Sequence, residues 1–402
     1  MALPVASRTP APPDPILGLA EAYRADPRPV KVNLSSGVYV DDTGITPVLP
    51  SVVEAERRIL ATETTKLYKP IDGDAAYRAA VRDMIFTPDH EIVASGRSAT
   101  SHTPGGTGAL RVAADFLVQE GAPPTVWVSD PTWPNHPQIF GLAGFRVRPY
   151  PYVHPGDRHV SIDAMLGALG ESEPGDLLLL HGSCHNPTGV DPSQDEGGRI
   201  GDLIEERDLL PLVDFAYQGF GDGLREDADW LAAIARPGRE LLIASSFSKN
   251  FALYSERVGA LTVVAQDRES AASAQSHVKV AIRANYSNPP SHGAEIVTTI
   301  LGDPALRAQW EVELAGMRER IHENRRVVVQ ALESRGIPGD WAPLARQRGM
   351  FALLGLSKEQ VAALREEHAV YVVGAGRINV AGITKANIDP FADAVAAVVG
   401  RG

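Results

Sequence analysis

The chain has 402 residues, 44% hydrophobic and 22% charged, an ordinary globular composition that excludes a disordered, collagenous or membrane-embedded class. Lys and Arg total 38 against 50 Asp and Glu, giving a net charge of −12, so the molecule repels phosphate backbones overall and non-specific nucleic-acid binding is not expected, although a locally basic site can still take a small anion. Cys184 is the only cysteine, which excludes an intrachain disulfide and a thiolate zinc cluster and suits a reducing compartment.

The proline-rich opening, residues 1–15, can form neither a helix nor a central strand and reads as an arm lying on something else. It has no positively charged stretch followed by an apolar run, and no segment approaches the roughly 18 apolar residues that span a bilayer, so a cytoplasmic protein without membrane contact is expected.

Across the middle of the chain, short apolar runs alternate with stretches of helical periodicity, which predicts an α/β sheet with covering helices. The clearest strands are residues 125–129, 177–181, 210–214, 240–245 and 259–264. In open α/β sheets ligands bind beyond the carboxyl ends of the strands, which directs attention to Asp130 to Trp133, His185 to Gly189, Asp214 to Tyr217 and Ser246 to Lys249. A long charge-rich helix is predicted over residues 303–334, followed by strand-like residues 349–354 and 371–381, a second and smaller α+β unit.

A lysine is ordinarily a solvated surface charge. Lys249 differs because it closes an apolar strand in a small, hydroxyl-rich turn, where desolvation favours the neutral, nucleophilic amine. Asp214, also at a strand end, is either a helix cap or a buried carboxylate in need of a cation, such as the protonated ring nitrogen of a pyridoxal cofactor. Thr103-Pro104-Gly105-Gly106-Thr107-Gly108 leads into a helix, where glycines and N-terminal amides accept a phosphate, although glycine-rich turns before helices are common. Arg257, eight residues after Lys249, could supply a fixed cation to that phosphate, and Trp133 could stack on an aromatic cofactor; spacing alone leaves both equally open to a packing role. Ser246-x-x-Lys249 fits a serine–lysine hydrolase, but the accompanying Ser-Asp-Asn and Lys-Thr-Gly elements are missing. The 11 histidines are scattered, and His181 and His185 straddle a strand-to-turn junction rather than one helix face, so no metal site is expected.

Taken together, these segments resemble the aspartate/aromatic amino acid aminotransferase family, class I pyridoxal-phosphate enzymes of fold type I. The resemblance runs from Asp14-Pro15-Ile16-Leu17 to about Val399 and includes, in the family's order, Asp130-Pro131-Thr132-Trp133, His185-Asn186-Pro187-Thr188-Gly189, Asp214-Phe215-Ala216-Tyr217, Ser246-Phe247-Ser248-Lys249-Asn250, Arg283-Ala284-Asn285-Tyr286-Ser287-Asn288 and Gly376-Arg377-Ile378-Asn379. It implies a fold of a mainly parallel seven-stranded sheet in a large pyridoxal-phosphate domain, residues 47–312, with a small α+β domain of residues 15–46 and 313–402 and an arm of residues 1–14. It also implies a ping-pong aldimine mechanism that moves an amino group between aspartate, glutamate or an aromatic amino acid and a 2-oxo acid. Lys249 would carry pyridoxal 5'-phosphate and shuttle the Cα proton, Asp214 would hold the pyridine nitrogen protonated, and Tyr217 and Asn186 would bond the ring's phenolic oxygen while Trp133 covers its face. Gly106, Thr107, Ser246 and Arg257 would bind the phosphate, joined by Tyr68 of a neighbouring subunit. Arg377 would fork onto the substrate α-carboxylate, and Arg283, also from the partner of a homodimer with shared active sites, onto a distal carboxylate.

Departures from the family are concentrated at the substrate wall, where Ser36-Gly37 replaces an apolar residue before the glycine, and at Lys69-Pro70, which puts a cation beside Tyr68. Leu67 resembles the aromatic-type enzymes, whereas Asn288 and Thr107 resemble the aspartate type. A polar, enlarged pocket would favour the alternative of a biosynthetic pyridoxal-phosphate enzyme that replaces a side chain or forms a carbon–carbon bond on a larger polar amino acid.

Overall fold

The structure, a computed structural model, describes residues 8–11, 14, 16–119, 125–153 and 159–400. The expected arm therefore falls largely outside the described residues. Among the described residues the strands are β1 (Val32–Asn33), β2 (Ser98–Pro104), β3 (Thr125–Asp130), β4 (Arg146–Pro151), β5 (Leu177–His181), β6 (Leu210–Phe215), β7 (Leu241–Ser246), β8 (Val258–Val264), β9 (Phe351–Leu353), β10 (Val370–Tyr371) and β11 (Arg377–Asn379).

Seven of them form one sheet in the order β2-β8-β7-β6-β5-β3-β4. The contacts from β4 through β7 are parallel, and β8 runs antiparallel to both β7 and β2. The central strands are buried on both faces, which is why Leu177-Leu178-Leu179-Leu180 reads as an unbroken apolar run rather than an alternation. Two edge strands escaped the sequence reading. β4 carries Arg146, Arg148, Pro149 and Pro151, a composition only an edge tolerates. β2 buries hydroxyls in place of apolar side chains, with Thr100 and Thr262 hydroxyls 2.9 Å apart across its pairing with β8.

The long helix is Pro304–Ser334. Asp303 caps it by accepting from the amides of Ala305 and Leu306, both at 2.9 Å, and Pro304 takes the first position, where no amide is needed. Its first half buries Leu306, Trp310, Leu314, Met317 and Ile321 in the core below the sheet. Its second half buries Val328, Val329 and Leu332 in a separate core with Phe391, Val395 and Ile378. The expected boundary at residue 312 thus lies inside a continuous helix that serves both cores.

Residues 371–381 are not one strand. Gly374 and Gly376, at φ of 54° and 79°, turn the chain in a conformation that favours glycine, so the run divides into β10, paired in parallel with β1, and β11, antiparallel to β9. That turn delivers Arg377 to the first residue of β11.

Candidate active site

Parallel strands place their carboxyl ends on one edge of the sheet, and a cavity of about 270 Å³ opens there. Lys249, Asp214, Tyr217, Trp133 and Asn186 line it from the sheet side, Gly106 and Thr107 from the glycine-rich turn, Ser246 from the end of β7, Arg257 from just before β8, and Gly37 and Arg377 from the second unit. A larger cavity, about 540 Å³, shares His181 with it but contains none of the expected site residues.

Lys249 is half-buried in the turn after β7, with Nζ 4.8 Å from the centre of the Tyr217 ring. Burial, reinforced by Arg257 and opposed by Asp214, pushes its amine down to about 8. The neutral fraction rises as pH passes through the pKa, so labelling of Lys249 by an amine-selective reagent in the unliganded protein is expected to reach half its plateau rate near pH 8. Peptide-resolved mass spectrometry checks this; a midpoint near the ordinary lysine value would refute the desolvated site.

Asp214 is buried at the end of β6. Burial alone would raise its carboxyl, but the hydrogen bond from His136 and the fields of His136, His181 and Lys249 outweigh it and hold the group below the usual carboxylate range. His136 Nε2 lies 2.8 Å from Asp214 Oδ2, and His136 Nδ1 lies 2.9 Å from the Thr132 hydroxyl. An ionised Asp214 can only accept, so His136 donates to it through Nε2. Burial, followed by the Asp214 charge, pushes the Tyr217 phenol above its usual range, with Arg377 acting against it.

The helix Gly105–Leu117 starts at the cavity, so its free amides face the space. A Cβ at Gly105, where φ is +72°, would lie 2.4 Å from Arg257 Nη2, and one at Gly106 3.0 Å from Ser246 Cβ. Glycine therefore keeps this cradle open. Arg257 is itself fixed, donating to the Ser248 hydroxyl at 3.3 Å and the Tyr254 carbonyl at 3.2 Å.

Arg377 donates to the Ser35 carbonyl at 2.6 Å and to Asn186 Oδ1 at 3.4 Å, and its guanidinium carbon lies 4.4 Å from the centre of the Phe351 ring. Its Nε is buried with no hydrogen-bond partner, a donor left for an anion. Burial lowers its pKa to about 10, against the influence of Tyr217, so it stays charged at neutral pH.

Three expected site residues are not gathered here. Tyr68 is 91% exposed, Arg283 is exposed on the helix Arg268–Asn285, and Ser36 is half-buried outside the cavity wall. Lys69 also departs from expectation: its Nζ pairs with Glu295 at 2.7 Å, so it offers no free cation to an enlarged pocket. Sequence reasoning gave no site role to His136, Ser248, Tyr254 or Phe351. The Tyr254 hydroxyl accepts the Tyr39 amide at 2.8 Å and so ties the Lys249 turn to the segment carrying Gly37.

The family model for aminotransferase class I and II matches residues 29–395. The chain is 51% identical to an aspartate aminotransferase of Escherichia coli (strain K12) over 97% of its own length and 99% of that protein. It is 48% identical to an aromatic-amino-acid aminotransferase of Pseudomonas aeruginosa over 96% and 97% of the two chains. Among solved structures, an aromatic-amino-acid aminotransferase from Burkholderia pseudomallei, covalently bound to pyridoxal phosphate, superposes with a TM-score of 0.95 at 44% identity, covering 99% of this chain and 100% of that one. These matches do not favour the alternative of a specialised biosynthetic enzyme, and the pairing of Lys69 removes the physical reason for it. The chain belongs to the aminotransferase class I and II family and is an aminotransferase of the pyridoxal-phosphate fold.

Proposed function

We propose that the cavity between the sheet edge and β11 binds pyridoxal 5'-phosphate and moves the amino group of aspartate, glutamate or an aromatic amino acid to a 2-oxo acid. The observation that carries this reading is the meeting, in one space of about 270 Å³, of a lysine with a lowered pKa, a buried ionised aspartate and an arginine with an orphaned Nε. The donor set fits the cofactor: an amide-lined glycine cradle beside Arg257 for the phosphate, and a carboxylate for a protonated ring nitrogen. When bound, the cofactor supplies an electron sink for charge that develops at the substrate Cα.

Lys249 would hold the cofactor through its amine and, when free, would move the proton at the substrate Cα. Asp214, oriented by His136, holds a proton at the pyridine nitrogen. Tyr217 and Asn186, which line the cavity with Trp133, would hydrogen-bond the cofactor's phenolic oxygen, and Trp133 would lie against its ring. Gly106, Thr107, Ser246 and Arg257 bind the phosphate. Arg377 grips the α-carboxylate beside Gly37, and its contacts with Asn186 and Ser35 fix the direction of the fork.

Tyr68 and Arg283 complete the site from the second subunit of a cytoplasmic homodimer, which accounts for their exposure in a single chain. The large domain then comprises residues 47–312, and residues 15–46 and 313–402 form the small domain that closes over substrate, with the arm of residues 1–14 reaching the partner. Incubation with a panel of amino acids and 2-oxo acids, followed by product masses, tests the reading. Arg283→Ala is expected to reduce kcat/KM for aspartate and glutamate by about tenfold or more and to leave phenylalanine within about twofold. Equal loss on both substrate classes would remove Arg283 from the distal-carboxylate site.

A further inference from the structure

Lys69 immediately follows Tyr68, and two groups engage it directly. Its Nζ pairs with Glu295 of the helix His292–Gly302 at 2.7 Å, with the two side chains 32% and 25% exposed. Glu295 keeps the amine above its ordinary range. The Lys69 carbonyl accepts from Asn288 Nδ2 at 2.7 Å. Asn288 Oδ1 in turn accepts from the Ser287 hydroxyl at 3.0 Å, and the Ser287 oxygen accepts from Arg283 Nη1. Donation therefore runs one way, from the Arg283 guanidinium through Ser287 and Asn288 to the Lys69 carbonyl. Ser287 sits at φ of 69°, a left-handed conformation that a serine rarely adopts, and its amide is held by the Ile282 carbonyl at 3.1 Å.

Three residues after Lys69, the same loop is anchored to the helix that carries Arg283. Asp72 Oδ2 lies 3.1 Å from Lys279 Nζ and 3.1 Å from Gln275 Nε2, and Lys279, Gln275 and Arg283 all belong to the helix Arg268–Asn285. Arg78 adds a further cation to Asp72 at 3.1 Å. The segment just after Tyr68 is thus held, at Lys69 and again at Asp72, to Glu295, to Asn288 and to the helix that carries Arg283, and neither Tyr68 nor Arg283 lines the cavity of its own chain.

We propose that the Lys69–Glu295 ion pair and the Asn288 bridge are a positioning device that joins Tyr68 and Arg283 into one rigid unit, so that the partner's cavity receives its phosphate-side hydroxyl and its distal-carboxylate guanidinium at a fixed separation. This rests on the shared-site homodimer read above. Lys69, Glu295 and Asn288 touch neither substrate nor cofactor and act through Tyr68 and Arg283.

A partly exposed ion pair has a modest worth, so the expected effects are moderate. In Lys69→Ala and in Glu295→Gln, the KM for aspartate and the Kd for pyridoxal phosphate are each expected to rise about three- to tenfold, while kcat and the KM for phenylalanine stay within about twofold. The exchanged pair Lys69→Glu with Glu295→Lys is expected to recover at least half of the loss. A contact that merely stabilised the fold would lower Tm without separating aspartate from phenylalanine, and that result would overturn the proposal.

Hybrid dimers with a single working cavity locate the effect. With Lys249→Ala and Lys69→Ala on the same chain, the working cavity belongs to the unmodified subunit and receives the loosened unit, so the raised KM for aspartate is expected. With the two substitutions on opposite chains, KM is expected to be that of the parent. The same hybrids built with Arg283→Ala report on the shared site alone. If Arg283→Ala acts across the dimer and Lys69→Ala has no effect, the positioning proposal fails and the shared site stands. If Arg283→Ala acts within its own chain, or the protein is monomeric, both fail.

Discussion

Replacement of Lys249 by alanine is expected to lower kcat by about ten-thousand-fold, the largest effect of any substitution considered for this chain. In the proposed roles two functions would be lost together, the tether and the base that moves the Cα proton. Asp214 and its partner His136, the glycine cradle and Arg257 are untouched by the change, so the variant is expected to retain pyridoxal phosphate non-covalently. Borohydride reduction followed by peptide mapping provides the check on the parent protein: the pyridoxyl group is expected on Lys249. Recovery on another lysine would refute the assignment. The lowered amine supports this outcome, because a lysine held near 8 is far readier to act as a neutral base than one at the usual 10.5.

Arg377→Ala is the second large effect. Arg377 is 3% exposed, its guanidinium held by Ser35 and Asn186 and backed by Phe351, so its orphaned Nε cannot be replaced by a shifting neighbour. Loss of a charge-assisted fork at a buried site is expected to cost about 2–5 kcal/mol in transition-state binding, which is tens- to thousands-fold in kcat/KM. Every amino-acid substrate should suffer alike, because the α-carboxylate is common to all. Steady-state kinetics on aspartate and phenylalanine check it; a loss confined to aspartate would place Arg377 at the side chain rather than at the α-carboxylate. Arg377→Lys should remain strongly impaired, since an ammonium cannot form the two parallel bonds of a guanidinium.

The sheet was legible because its central strands are buried on both faces, and Leu177 to Leu180 or Leu241 to Ala244 can be read without any knowledge of their neighbours. The same physics concealed β2 and β4, where hydroxyls, arginines and prolines occupy edge positions that do not demand an apolar run. Lys249 and Asp214 stood out by local context, each ending a strand. Arg377 did not: it reaches the cavity from a different part of the chain through a glycine turn, and only the family resemblance pointed to it. The Gly374 and Gly376 spacing was the available sign that residues 371–381 could not be one strand.

Long-range pairings were invisible for a simpler reason. Nothing in the spacing of His136 and Asp214, 78 residues apart, indicates a 2.8 Å contact, and nothing beside Lys69 indicates that Glu295 neutralises it. An isolated cation next to an expected phosphate contact therefore suggested an enlarged, polar pocket for a larger polar or anionic substrate, and the fold gave that cation a different partner. The residues expected from a second subunit, Tyr68 and Arg283, were legible as motif members and remain outside the cavity of the single chain.

The half-reaction tests the aminotransferase account most directly. Cofactor-loaded protein mixed with 15N-labelled aspartate, and with no 2-oxo acid present, is expected to release about one equivalent of oxaloacetate per subunit and then stop, with the label retained on the protein. Addition of a 2-oxo acid should restart the reaction and carry the label into the new amino acid. Continuous turnover without an acceptor, or release of carbon dioxide or ammonia in place of amino transfer, would contradict it.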